Sequence, residues 1–255
     1  MKTKKTREPS FDTIKKASFW KNLTAEDVQK YLVPASISHI YHFPYSSTED
    51  LDSAFGSGDA LHHALFNNAS VLAISALIRA GSDVSQSQAP LALAVSCTEG
   101  VEIVKLLISA GADVHDMGLG ATALHRTWMQ PNAQAAIEIV TLLLNSGADI
   151  NACNIQGYTP LICAVIAVYL DKSFGYISEP GLLVEHLINA GAYVNAHCEM
   201  SYSALHIAAN ANLDQRAIEH LVNNGANIHA VTCTGETPLD LALLKNNLDL
   251  IQVLS

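Results

Sequence analysis

The stretch 147–161, GADINACNIQGYTPL, is one copy of a pattern that recurs along the chain. Related stretches are GSDVSQSQAPLALA (81–94), GADVHDMGLGATALHR (111–126), GAYVNAHCEMSYSALHIA (191–208) and GANIHAVTCTGETPLDLA (225–242). Their leading glycines are spaced by 30, 36, 44 and 34 residues, and the leucine of each copy keeps a similar spacing. Self-similarity at a near-constant period is the signature of a repeat protein, so the stretch is a repeated junction and not an isolated site.

Each junction combines a signal that ends one helix with a signal that begins the next. The leading glycine suits the left-handed conformation that terminates a helix. Thr159 then supplies a hydroxyl N-cap, and Pro160 follows at the first helical position, where its missing N–H costs nothing. Thr122 and Ser203 keep the capping hydroxyl without the proline. Behind each cap we expect a short, Ala-rich inner helix such as ALHIAANA (204–211).

A second, outer helix is expected after each inner helix. The segment VEIVKLLISA (101–110) has apolar residues at helical spacing. Its predicted buried face consists of Val101, Val104, Leu107 and Ile108. The polar residues between one outer helix and the next inner helix are then predicted to form a projecting turn.

This helix–helix–turn unit, with a period of about 33 residues and starts such as GYTPL, SYSALHIAA and GETPLDLA, resembles the ankyrin repeat. The resemblance covers about residues 58–255 and implies an all-α fold, an ankyrin-repeat solenoid of stacked helix-turn-helix units with projecting turns. Repeats one to six are predicted at about 58–88, 89–119, 120–156, 157–200, 201–234 and 235–255. Four positions depart from the pattern: Ala89 replaces a capping hydroxyl, and Ala92, Ile162 and Asp240 replace the histidine found at His125 and His206.

Residues outside the array are assigned separately. Residues 1–17 are predicted to form a basic flexible tail, and residues 18–57 an N-terminal capping helix with a linker, equivalent to a degenerate repeat. Repeat six stops before a closing glycine. We expect that it is either a C-terminal cap or a repeat at which the chain was cut.

Repeat four contains an insertion, because its spacing of 44 residues exceeds the 34 of repeat five. The extra residues are placed within 168–181, between the two helices of the repeat. They are expected to form either a tolerated surface loop, since long loops cost little free energy, or a second partner contact. That second contact would use the aromatic residues Tyr169, Phe174 and Tyr176.

The charge distribution argues against a nucleic-acid partner. The net charge is −10, and seven of the 14 Lys and Arg residues lie in the first 21 positions with only two acidic residues. The remaining chain has 7 basic and 22 acidic residues, whereas a phosphate backbone requires a basic surface. A short basic tail of this kind is most often simply solvated.

The sequence shows neither a secretory signal nor a membrane span. No apolar region follows the charged start, and the longest uncharged apolar run, PLICAVIAVYL (160–170), is about half as long as a span. Five cysteines without a CxxC pair indicate reduced thiols. We therefore expect a cytoplasmic protein, or one delivered into a host cell if it is a bacterial effector.

No catalytic, cofactor or metal site is predicted. The resemblance implies that His62, His125 and His206 make hydrogen bonds within and between repeats. Cysteines and histidines in successive turns lack the paired spacing of a zinc site. The GLG at 118–120 is not followed by GK[ST], and no GxSxG or HExxH is present.

The resemblance implies a binding face formed by the turn tips and the exposed side of the inner helices. The positions beside each turn glycine are Leu119, Ala121, Ile155, Gln156, Tyr158, Met200, Tyr202, Thr234 and Glu236. Tyr158 and Tyr202 occupy the same position in successive repeats and form, with Ile155 and Met200, an amphipathic strip typical of interfaces. Alternatively, the two tyrosines cover their own turns. Trp128 either faces the groove or packs under the following loop.

We therefore expect a non-enzymatic protein-recognition module that is a monomer and binds another protein, with some basic character in the bound segment. One alternative is the targeting half of a larger enzyme or secreted bacterial effector, whose catalytic domain would lie beyond Ser255. Another is a structural scaffold that self-associates.

Overall fold

The computed structural model describes residues 60–85, 89–174, 179–198, 200–211, 213 and 215–254. The predicted tail, capping helix and linker lie outside these residues, as does Tyr176. The chain divides into two compact units, residues 1–113 and 114–255. None of the helices in the described ranges is long and apolar enough to cross a membrane.

The described part of the N-terminal unit, from residue 60 onward, contains two helix pairs. The helices are α1 (Ala60–Phe66), α2 (Val71–Arg79), α3 (Pro90–Ala94) and α4 (Gly100–Ser109). The inner helices α1 and α3 pack against each other, and each also packs against the outer helix that follows it. Leucine and isoleucine side chains, among them Leu61, Leu77 and Ile103, fill the core between them.

The buried face of α4 differs from the prediction at two of its four residues. Ile103, Val104 and Leu107 are fully buried, whereas Val101 and Ile108 are partly exposed. The prediction was wrong at these two positions because the core contacts a stripe of residues that lie three or four apart, namely Gly100, Ile103, Val104 and Leu107. The outer helix is otherwise as expected.

The C-terminal unit contains four inner and four outer helices in the described residues. The inner ones are the 3₁₀ helix Ala123–Met129 and the α-helices α6 (Pro160–Phe174), α8 (Ala204–Ala211) and α10 (Pro238–Lys245). The outer ones are α5 (Ala133–Asn145), α7 (Pro180–Asn189), α9 (Gln215–Asn223) and α11 (Leu248–Leu254). Successive inner helices pack against each other, and so do successive outer helices. The all-α class is confirmed.

The junction signals act as the sequence predicts. The five leading glycines adopt left-handed φ values between 86 and 98°. Helices α6 and α10 begin at their prolines, and the Thr237 side chain accepts a hydrogen bond from the Asp240 N–H. The predicted inner helix 204–211 has the expected bounds.

The insertion in repeat four lengthens a helix as well as a connection. Helix α6 continues to Phe174, so the part of the insertion from residue 168 to 174 is helical. The prediction of a loop was therefore wrong for this part. No glycine or proline interrupts the chain between Leu161 and Phe174, so no strong helix breaker ends the helix earlier.

Candidate functional site

Four projecting turns in the C-terminal unit have a common architecture, and together they are called the turn face: residues 117–121, 154–158, 198–202 and 232–236. In three of them the N–H of the first residue donates to the carbonyl of the fifth. These bonds join Asn154 to Tyr158 at 2.9 Å, Cys198 to Tyr202 at 3.1 Å and Thr232 to Glu236 at 3.0 Å. The fifth residue of each turn is therefore held directly before the capping residue of the next inner helix.

Side-chain oxygens organise two of these turns from within. Asn154 Oδ1 accepts the N–H groups of Gln156 and Tyr158, both at 2.9 Å. Thr232 Oγ1 does the same for Thr234 and Glu236, at 3.3 and 3.2 Å. Short polar side chains that bond their own backbone stabilise turns in this way.

The fourth residue of each turn has a positive φ. It is a glycine in three turns, whereas the turn of repeat five has Ser201 at φ 60°. A residue with a Cβ costs roughly 1 kcal/mol or more in this conformation. The turn that carries Tyr202 is therefore more strained than the turn that carries Tyr158, whose fourth residue is Gly157.

Neighbouring turns are joined by backbone hydrogen bonds. The Ile155 N–H donates to the Gly120 carbonyl at 3.0 Å, and the Cys233 N–H donates to the Met200 carbonyl at 3.2 Å. The Ile155 side chain lies so close to Gly120 that a Cβ added there would come within 2.6 Å of its Cδ1. The first turn is therefore joined to the second, and the third to the fourth.

His125 connects repeat three to the turn of repeat four. Its Nδ1 accepts the Thr122 N–H at 3.2 Å, so Nε2 carries the proton of the neutral ring. Nε2 donates to the carbonyls of Ala152 and Tyr158, each at 3.0 Å. The backbone of Tyr158 is thus fixed by the preceding repeat, and burial lowers the pKa of His125.

His206 makes the equivalent connection from repeat five to repeat six. Its Nδ1 accepts the Ser203 N–H at 3.2 Å, and its Nε2 donates to the Glu236 carbonyl at 3.2 Å. Burial also lowers the pKa of His206. The hydrogen bonds that the resemblance implied for these two histidines are confirmed.

Tyr158 and Tyr202 lie at the same position of successive turns, and both side chains are half-exposed. The Tyr202 ring stands edge-on to the His206 ring, with centroids 5.8 Å apart. Beside them, Ile155 is 69% exposed and Met200 is 58% exposed. Apolar side chains of this size at such exposure are available for a partner.

The remaining predicted residues have varied positions. Gln156 and Thr234 are exposed at turn tips, and Trp128 is half-buried on the 3₁₀ helix of repeat three. The Glu236 carboxylate accepts the hydroxyls of Thr232 and Thr234, which lower its pKa. The side chains of Leu119, Tyr169 and Phe174 lie outside the described residues.

Two residues that sequence reasoning missed lie on the inner helices. Arg126 and Cys163 follow the histidine position in repeats three and four, and both are half-buried. Their guanidinium and thiol are near enough to interact electrostatically, and burial raises the pKa of Cys163 to about 12. The sequence signal that could have pointed to Arg126 is its position directly after the Leu124-His125 pair of repeat three.

Within the described ranges, histidine, cysteine, aspartate and glutamate do not gather in groups of three or more that could hold a metal ion.

The fold and this face define a helical-repeat protein with projecting turns. Three family models match the chain. The model of ankyrin repeats in three copies matches residues 176–255, that of ankyrin repeats in many copies matches 133–169, and that of a single ankyrin repeat matches 86–118. These matches cover more than half of the chain, which belongs to the ankyrin repeat family. Ankyrin repeats generally mediate protein–protein interaction and are typically non-catalytic. No curated protein in the comparison matches the chain.

Proposed function

We propose that the protein recognises a segment of a partner protein through the turn face, with Tyr158 and Tyr202 as its principal anchors. The observation that carries this proposal is the repetition of a half-buried tyrosine at one position of two successive turns, each beside an exposed apolar residue. Tyrosine is enriched at binding hot spots because it combines large contact area with a polar tip.

The backbone geometry favours binding with little reorganisation. The Tyr158 carbonyl accepts hydrogen bonds from both His125 and the Asn154 N–H, so this residue is held on two sides. The Tyr202 ring is restrained by its contact with His206. A surface that is ordered before binding loses less conformational entropy in the complex.

The test uses peptides selected from a random display library against the purified protein. The double variant Tyr158→Ala, Tyr202→Ala is expected to bind the selected peptides about tenfold more weakly or worse, because two anchors are truncated. Isothermal titration measures the affinity. Thermal unfolding of the double variant is measured in parallel, because both side chains are half-buried and a loss of folded protein would also weaken binding.

Tyr193→Ala is the matched control, because Tyr193 is a tyrosine of the same unit that is 60% exposed outside the turn face. It is expected to leave peptide affinity unchanged. Equal affinity of the wild type and the double variant would refute the proposed anchors. Equal losses in the double variant and in Tyr193→Ala would show that binding is not centred on this face.

A further inference from the structure

Arg126 is a cation without a carboxylate partner among the described residues. Its side chain is half-buried, and its Nε is shielded from water without a hydrogen-bond acceptor. Elsewhere in the array, Lys105 pairs with Glu102 at 3.0 Å and Arg216 pairs with Glu185 at 2.9 Å. A buried polar atom left unsatisfied costs roughly 1–3 kcal/mol. Because Nε is out of reach of solvent, a partner's carboxylate would bind the guanidinium through its Nη groups.

Arg126 is near enough to Cys163 to interact with it electrostatically, and the Cys163 Sγ lies 4.0 Å from Nδ2 of Asn154, in the turn that carries Tyr158. Arg126 is the first member of a row of residues that each follow the histidine position of an inner helix: Arg126, Cys163, Ile207 and Leu241. The four inner helices pack against one another in this order. After the arginine the row is uncharged, because the burial of Cys163 favours its neutral thiol.

The opposite end of the face carries the opposite charge. Glu236 occupies in repeat six the turn position that Tyr158 and Tyr202 occupy in repeats four and five. Its carboxylate is half-exposed and is kept ionised by the hydroxyls of Thr232 and Thr234. From repeat three to repeat six, Arg126 of the inner-helix row is therefore followed by the two tyrosines and apolar side chains of the turn face, which ends with the Glu236 anion.

We infer that the bound segment is bipolar: it carries an aspartate or glutamate that pairs with Arg126 and a lysine or arginine that pairs with Glu236. Arg126 and Glu236 are three repeats apart, and helices that pack against each other are about 8–10 Å apart. An extended chain spans about 3.3 Å per residue, so the two charged residues of the partner are separated by about seven to nine residues.

A carboxylate fits Arg126 because the planar guanidinium can donate two parallel hydrogen bonds to its two oxygens. The same segment can retain the basic character expected from the acidic body of the protein, but its basic residue faces Glu236. This inference rests on the proposed function, since it assumes that the partner lies along the turn face.

The first experiment repeats the display selection with the wild type and compares the charge pattern of the selected peptides. An acidic and a basic residue about seven to nine positions apart are expected to be enriched. Random placement of charge among peptides that depend on the tyrosines would overturn the inference.

The second experiment is a double-mutant cycle on one selected peptide. Arg126→Gln is combined with replacement of the acidic peptide residue by its amide, and the affinities are measured by isothermal titration. Each single change is expected to weaken binding about tenfold, and the double change is expected to add little further loss. The cycle of Glu236→Gln with the basic peptide residue is expected to behave in the same way.

Two controls separate the charge pairing from other effects. Arg126→Lys keeps the charge and is expected to retain part of the coupling, which a purely structural arginine would not do. The mismatched cycle of Arg126→Gln with the basic peptide residue is expected to be additive.

The failures of the two proposals are distinguishable. Loss of binding in the tyrosine double variant together with additive cycles at Arg126 would overturn the bipolar segment and leave the tyrosine anchors in place. Unchanged binding in the tyrosine double variant would refute the turn face and the inference with it.

Discussion

Tyr158 and Tyr202 occupy one position of the repeat, yet the protein holds them in two different ways. The Tyr158 carbonyl is bound by His125 of the preceding repeat. The repeat that precedes Tyr202 has Ile162 in place of this histidine, and Ile162 is fully buried. The Tyr202 ring is instead restrained by His206 of its own repeat. A connection between repeats can thus be replaced by a contact within one repeat.

His125 stabilises its repeat mainly by hydrogen bonding, whereas Ile162 at the same position stabilises its repeat by burial. His125 satisfies three backbone groups at once: the Thr122 N–H and the carbonyls of Ala152 and Tyr158. Ile162 makes none of these bonds through its side chain and contributes only apolar burial. The turn of repeat four is therefore fixed by side-chain bonds from the preceding repeat, whereas the turn of repeat five depends on its own hairpin bond, on the Cys233 N–H that donates to the Met200 carbonyl, and on packing.

The largest effect is expected from His125→Leu. This change leaves the Thr122 N–H and two carbonyls without their side-chain partner, and we expect a loss of about 2–4 kcal/mol in the free energy of unfolding. Urea denaturation followed by circular dichroism measures this loss. Ile162→Leu is the matched control at the same position of the next repeat, and a volume-conserving change there is expected to cost less than about 1.5 kcal/mol. Equal losses in both variants would contradict the role of the histidine.

A smaller effect is expected from acidification. Burial lowers the pKa of His62 to about 4 and also lowers the pKa of His125 and His206 below the ordinary value of 6.5. The folded state therefore binds fewer protons than the unfolded state between these values, so stability is fully present above pH 6.5 and is lost as the pH falls. We expect the free energy of unfolding to decrease by about 1–2 kcal/mol between pH 7 and pH 5.

The variants of the histidine position test the cause of this pH dependence. His125→Leu and His206→Leu are each expected to flatten the decrease, because they remove a group that titrates in the unfolded state. Ile162→Leu is expected to leave its slope unchanged. A slope that is identical in all three variants would assign the pH dependence to other groups.

The smallest effect is expected from Ile162→His, which introduces the missing histidine into repeat four. Thr159 already supplies the capping residue, and the carbonyls of Ala196 and Tyr202 lie at the sequence positions of those bound by His125. We expect the free energy of unfolding to change by less than about 1 kcal/mol, because new hydrogen bonds offset the lost apolar burial. Hydrogen exchange of the turn 198–202 is expected to slow. A loss comparable to that of His125→Leu, without slower exchange, would show that the turn does not accept the new bonds.

The regular features of the fold were predictable from local sequence. The positive φ of the leading glycines, the proline at the start of α6 and the bounds of α8 follow from steric and capping rules that act within a few residues. The family assignment was also available from the spacing of these signals. The length of α6 was not, because an apolar run between two helices can continue either as helix or as a loop, and only the absence of a breaker before Phe174 favoured helix.

The candidate face was predictable in part. The shared position of Tyr158 and Tyr202 follows from aligning the repeats, and the structure adds that both side chains are half-exposed. Arg126 was missed because nothing in the sequence shows that its Nε is shielded from water without an acceptor. That property depends on which carboxylates lie nearby in space, and the carboxylates paired with other cations lie up to 31 residues away along the chain.

The sequence by itself determined the repeat, its helices and the turn positions, because these depend on capping, backbone conformation and apolar periodicity over short distances. The tertiary structure alone decided which backbone groups His125 satisfies, how Ile162 is accommodated and which charge is left without a partner. Those outcomes depend on distances between successive repeats, where a change of less than 1 Å separates a hydrogen bond from an unsatisfied buried group.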